Sequence, residues 1–464
     1  MGAMRRESDS LGEVELPADC LWGVHTARAL ANFPLSGRRL ADEPELLEAL
    51  VQAKRAAAEA NGALGLLAPE QAAALLEACD AVLAGGHREA FAVDPLESSG
   101  GTSLNMNVNE VLANLALRRL GAAPGDYARL HPNDHVNAAQ STNDLLPTAL
   151  ILAARRLSAE AAEALRGLAA RLDEKAGAFA ALPHLARTCL MDAQPITLGR
   201  WFGAQASLGY RLAEALEARA ESLRALPLGG TAVGAGWGTP AGYRARAVGA
   251  LRRLTGLKLE TAADPYDALA NADGLARLSA EVAVAAQALG KLGQDLQFLA
   301  AGPAGGPAEI RLPALQAGSS MMPGKVNPVM PMLLVQSAAV IAGQDATVQR
   351  LCAAGQLAIN AYEPAIAVSL LGALRLLARS AALVAERCIA GLEANAAANR
   401  RHLLDSAAVS VLLQPRLGYA ATAALVKRAT AAGRSLAAQA TAEGLLDEAA
   451  VEALLQDLAR QAPG

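Results

Sequence analysis

The chain has 464 residues, enough for one large or two to three ordinary domains. Alanine and leucine dominate and aromatics are only 3%, which favours helix over sheet because both residues lose little on entering a helix. A net charge of −4 with scattered Lys and Arg gives no basic stripe for nucleic acid.

In chain order, residues 1–40 mix short apolar pieces with turns and read as an irregular lead-in, and the opening MGAMRRESDS has no apolar signal core. Residues 44–84 read as helix, with Leu46, Leu47, Leu50, Val51 and Ala57 at three- and four-residue spacing. Residues 91–144 are polar, rich in Asn, Ser and Gly, with two short helical stretches. Residues 147–180 and 192–226 read as long helices, and 226–240 (LPLGGTAVGAGWGTP) as a Gly-rich loop. Residues 265–301 hold the longest helical pattern, followed by a Gly/Pro break at 302–313 and a Gly/Ser-rich loop at 318–327. Helix resumes over 328–400, with a break near Pro364, and 402–464 form a helical tail punctuated by Gly433 and Gly444.

Mean hydropathy is slightly positive, yet apolar runs such as 280–289 are interrupted by Lys291 and Asp295 short of the ~18–20 residues that span a bilayer. The expectation is no membrane and an elongated helical bundle that buries further surface by oligomerising. Cys20, Cys79, Cys189, Cys352 and Cys388 are widely spaced, with no CxxC or Cys/His cluster. That pattern predicts neither disulfides nor a metal site, and fits a reducing cytoplasm.

Four polar patches stand out. In 98–110 (SSGGTSLNMNVNE), glycines let backbone N–H groups approach an anion, and Thr and Ser hydroxyls donate to carboxylates without adding charge. The competing reading is a helix N-cap at Ser103 or Asn105. In 131–144 (HPNDHVNAAQSTND), Ser141, Thr142 and Asn143 followed by Asp144 read either as a capping arrangement or as a second carboxylate cradle. His131 and His135 have metal-like spacing but no third ligand nearby. In 187–195, Thr188 is a candidate donor, and Cys189 reads better as a small buried thiol than as a nucleophile. In 318–328, paired serines, two glycines and Lys325 suit a mobile lid, and Met321-Met322 argues against a freely solvated turn.

Together these patches resemble the aspartase/fumarase superfamily. Its signature G-S-S-x-M-P-x-K-x-N is matched at every fixed position by GSSMMPGKVN at 318–327, and GTSLNMNVNEVLAN (101–114), HPNDHVN…QSTND (131–144) and LPLGGTAVG (226–234) match similarly. GVHT at 23–26, STN at 141–143 and AEIRLPA at 308–314 lean toward the aspartase branch. The resemblance implies an all-α, three-domain fold with a central bundle of five long helices, divided here at 1–145, 146–400 and 401–464. It implies a homotetramer with a twenty-helix core, in which three subunits share each site.

It also implies a small dicarboxylate substrate and no cofactor or metal. Thr102, Ser141 and Thr142 would hold the carboxylate beside the acidic carbon, and Thr188, Lys325 and Asn327 the other carboxylate. Asn143 would lie near the leaving amine, and Ser319 would take the proton. At Cys189 most relatives carry His, and at Met332 most carry Glu; Glu97 replaces a usual Gln and Ala304 a common Arg. Losing both members of the polar pair predicts a less polar leaving-group pocket, because a lone buried Glu would stay unpaired.

The expected activity is elimination of an amine from aspartate or a substituted aspartate or succinate, giving fumarate through an aci-carboxylate. A fumarase-like C–O lyase is the alternative, and a non-enzymatic descendant is disfavoured by the intact lid.

Overall fold

Alanine- and leucine-rich stretches form five long helices, Thr142–Ala178, Leu198–Glu221, Asp273–Ala300, Val329–Cys352 and Glu363–Val384, in the computed structural model, which describes residues 3–460. The described chain is mostly helical, and its strands form four two-stranded sheets. Small side chains let helices approach closely. A Cβ at Gly209 would fall 2.9 Å from that of Ala169, and one at Gly290 2.9 Å from that of Ala338.

Two compact units are present. One holds residues up to Glu160, Ala215–Val284 and Val340–Leu377; the other holds Ala161–Glu214, Ala285–Ala339 and the chain from Ala378. Every boundary falls inside one of the five long helices. In the first unit, helix Pro44–Ala63 packs its apolar face against Pro69–Leu83 and Tyr243–Thr255. In the second, Val409, Leu413, Leu425, Leu436 and Leu454 form the core of the C-terminal helices. A neighbouring cluster packs Leu185 of strand Pro183–Thr188 against Leu403, Leu455 and Leu458.

The structure corrects several sequence expectations. The lead-in contains an antiparallel hairpin, Met4–Asp9 with Gly12–Pro17, pinned by Arg5 donating to the carbonyls of Pro17, Cys20 and Trp22. Helix does not start at 192, because Met191–Thr197 pairs with Pro183–Thr188 and helix begins at Leu198. Thr102–Arg119 is 18 residues long rather than short. Its asparagines are buried and bonded, Asn107 to the Ala90 carbonyl at 3.0 Å and Asn114 to the Leu21 carbonyl at 2.8 Å, so polarity there marks internal pairing. The break near Pro364 is a loop after Cys352, and Glu363–Val384 carries the proline in its first turn, where its missing N–H costs nothing.

Helices Val329–Cys352 and Glu363–Ile389 are long and apolar enough to cross a bilayer by length and composition, which 280–289 is not. In the first, Met332 and Val340 are about half exposed.

Candidate active site

In the first unit, helix Thr102–Arg119 opens from Gly101, whose φ of +88° and tight surroundings exclude a side chain: a Cβ there would lie 2.3 Å from Leu146 Cδ2 and 3.3 Å from Thr142 Cγ2. That approach brings Thr102 beside the 141–146 segment. Gly101→Ala is expected to cost about 2–4 kcal/mol from left-handed strain and overpacking, read by denaturant unfolding. The N-cap residue Gly101 has no side chain to offer; Ser99 Oγ accepts from the first-turn N–H of Ser103 at 2.9 Å, and Asn105 is buried against Thr142 instead. The N-cap reading of Ser103 or Asn105 is therefore replaced.

Ser141, Thr142 and Asn143 begin the helix Thr142–Ala178. Ser141 Oγ accepts from the Asn143 N–H at 3.2 Å, and Asp144 Oδ1 accepts from the Ser141 N–H at 2.9 Å, a reciprocal cap. The buried Asp144 also accepts from the N–H groups of Gly229 and Thr231, both at 2.8 Å, while Asn143 Nδ2 donates to the Ala232 carbonyl at 2.8 Å. The Gly-rich loop is thereby clamped to the Ser-Thr-Asn turn. Burial pushes the Asp144 carboxyl up, against the lowering by those three N–H donors and by Lys54. His131 and His135 spend their Nδ1 atoms accepting backbone N–H groups, so their spacing reflects local capping.

In the second unit, Thr188 ends strand Pro183–Thr188 and the exposed Cys189 sits in a two-residue turn with Leu190. The expectation of a buried thiol is overturned, because the turn faces outward. Both turn residues are left-handed, φ 52° and 64°, the backbone of the tight hairpin turn that favours Asn-Gly. Leu190→Gly is accordingly expected to stabilise by about 1 kcal/mol, visible as a raised Tm. The hairpin is anchored by the fully buried Glu309, which accepts from Arg187 at 2.7 and 2.9 Å and pairs with His402 Nδ1 at 2.7 Å.

The loop 318–327 is closed at its base by the Gly318 N–H donating to the Lys325 carbonyl at 2.7 Å and Asn327 Nδ2 donating to the Gly318 carbonyl at 2.9 Å. Ser319 Oγ accepts from the backbone N–H groups of Met321 and Met322 at 3.1 and 3.0 Å. Lys325 and Asn327 border a cavity of about 610 Å³ with Arg311. Met321 is 88% exposed, so the methionine pair is solvated in the single chain, contrary to the sequence expectation. Met332 lies in the first turn of Val329–Cys352.

Thr102, Ser141, Thr142 and Asn143 thus belong to one unit, and Thr188, Cys189, Ser319, Lys325, Asn327 and Met332 to the other. Sequence reading missed Lys54 and Glu309 as supports, and it named Asp144 only in the capping arrangement, not as the clamp on Gly229 and Thr231. Lys54 carried a signal, a cation within the apolar pattern of Leu46, Leu50 and Ala57.

Residues 12–343 match the lyase family. A class II fumarate hydratase of Thermosynechococcus vestitus is 39% identical over 89% of each chain. An aspartate ammonia-lyase of Corynebacterium glutamicum is 41% identical over 89% of this chain and 79% of its own. The solved structure of a fumarate lyase:delta crystallin from Brucella melitensis, bound to cobalt, superposes with TM-score 0.95 at 40% identity, covering 99% of this chain and all of that one. A class II fumarase from Schistosoma mansoni superposes at 0.91 with 30% identity, covering 98% of each chain. The chain belongs to the aspartase/fumarase superfamily of lyases. It is an enzyme of that superfamily, similar both to aspartate ammonia-lyases and to class II fumarases.

Proposed function

We propose that this lyase removes an amine-type leaving group from aspartate, or from a substituted aspartate or succinate, to give fumarate, with Ser319 as the base. The observation that carries this reading is the setting of Ser319 Oγ, which accepts two backbone N–H groups in the lid. Those donors favour the alkoxide over the neutral hydroxyl, and Lys325 adds positive charge in the same loop. The Cβ proton is weakly acidic, so the charge it leaves must be absorbed by aligned donors. Thr102, Ser141 and Thr142 are the donors for the resulting aci-carboxylate, and Thr188, Lys325 and Asn327 hold the second carboxylate.

Cys189 and Met332 supply no base to activate water, which favours an amine over hydroxide as the leaving group. We further propose a cytoplasmic homotetramer whose subunits share each site. The half-exposed Met332 and Val340 support a buried, subunit-facing flank on Val329–Cys352. Light scattering is expected to give four times 47.4 kDa.

The test is a panel followed by fumarate absorbance: L-aspartate, N-substituted aspartates and malate, with fumarate plus varied amines in reverse. Fumarate release from at least one aspartate, at a higher kcat/KM than from malate, is expected. Turnover of malate alone would establish C–O chemistry instead.

A further inference from the structure

Lys54 lies on helix Pro44–Ala63 and is only 1% exposed. Its ammonium donates to Asn137 Oδ1 at 2.8 Å. The same oxygen accepts from Asn105 Nδ2 at 3.2 Å and Asn109 Nδ2 at 3.3 Å. Asn105 Nδ2 also donates to Thr142 Oγ1 at 2.8 Å. Lys54, Asn137, Asn105 and Thr142 thus form a continuous line of hydrogen bonds ending on a hydroxyl of the candidate cradle.

Each link has a direction. An ammonium has donors only, so Asn137 must turn its oxygen toward Lys54. The 3.3 Å bond from Asn137 Nδ2 to the Gln140 carbonyl points the same way. Asn105 must then turn its NH₂ toward that oxygen, and its NH₂ also fills a lone pair of Thr142. The hydrogen of Thr142 is left to point outward, which a carboxylate requires of its donor. Flipping Asn105 alone would set two oxygens face to face and draw the Thr142 hydrogen inward. Flipping Asn137 as well would set its NH₂ against the ammonium.

We propose that Lys54 is a positioning residue that fixes the amide orientations of Asn137 and Asn105, and through them makes Thr142 a hydrogen-bond donor to the substrate carboxylate. The inference rests on the reading of Thr142 as a carboxylate ligand. Only a protonated Lys54 imposes this direction, since a neutral amine can also accept. The titratable groups facing it are the Asp144 carboxyl and the thiol of Cys79, on helix Pro69–Leu83; burial lowers the Lys54 pKa and the Asp144 carboxylate raises it, while the buried thiol is itself pushed up and, staying neutral, adds no charge.

The test is steady-state kinetics on the full-length protein, with fumarate affinity by calorimetry, for Lys54→Met, Asn105→Asp, Thr142→Val and the Lys54→Met/Thr142→Val double variant. Asn105→Asp keeps the shape but takes the Thr142 hydrogen, so it carries the test if Lys54→Met fails to fold. Each single variant is expected to lose about 10²-fold in kcat/KM and to weaken fumarate binding. The double variant should be no worse than Thr142→Val, whereas a merely structural lysine would multiply the two losses. Wild-type kcat/KM should fall as Lys54 deprotonates, and that limb should vanish in Lys54→Met. Multiplicative losses, or a near-wild-type Asn105→Asp beside an impaired Thr142→Val, would overturn the role of Lys54 alone. An unimpaired Thr142→Val would overturn the cradle assignment and this inference with it.

Discussion

Ser319→Ala is expected to lower kcat by at least ~10³-fold, the scale of losing a positioned general base, while Tm and oligomeric mass stay at their wild-type values. The hydroxyl accepts two lid N–H groups and donates to no described residue, so its removal leaves no buried donor unpaired. Met321 and Met322, which carry those N–H groups, are themselves exposed, so water is at hand to satisfy them. Loss of rate without loss of stability is therefore the expected signature, measured by fumarate absorbance beside thermal unfolding. Retention of more than a tenth of the wild-type rate would assign proton removal elsewhere.

Glu309→Ala should show the opposite signature, a loss of about 3–5 kcal/mol in stability. Its carboxylate is fully buried and bonded to Arg187 and His402, with His184 Nδ1 3.9 Å away. Truncation strands the Arg187 guanidinium in a half-buried setting and frees the hairpin that carries Thr188 and Cys189. Burial pushes the Glu309 carboxyl up, but the hydrogen bonds from Arg187 and His402 outweigh it and hold the pKa below its ordinary 4.5. A folded pKa below the unfolded one gives stability that is complete above about pH 4.5 and is lost as pH falls through the folded value. Wild-type unfolding free energy should accordingly decline on acidification, and Glu309→Gln should flatten that decline. Urea titrations from pH 3 to 7 make the comparison, and parallel slopes would remove Glu309 as the cause.

Much of the candidate site was legible along the chain. The lid 318–327 carries its serines, lysine and glycines within ten residues, and the Ser-Thr-Asn turn announces itself beside a helix start. Long helices followed from Ala and Leu at helical spacing, and their smallest residues proved to be the close contacts at Gly209 and Gly290. The N-terminal hairpin was hidden because its order depends on Arg5 reaching carbonyls up to 17 positions away. Cys189 was misread because burial of a thiol depends on which way a turn faces, and a two-residue turn of Cys and Leu gives no local sign of it.

By itself the sequence determined the helical class, the family and the candidate residues of the site, since these are written in local spacing and short motifs. Only the tertiary structure decided which polar groups support them. Lys54 meets Asn137 across 83 positions, Asp144 meets Gly229 across 85, and Arg187 meets Glu309 across 122. Periodicity reports which face of a segment is buried, whereas the partner of a buried charge is chosen by how distant segments pack, and a lysine on an apolar face reads the same whatever it meets.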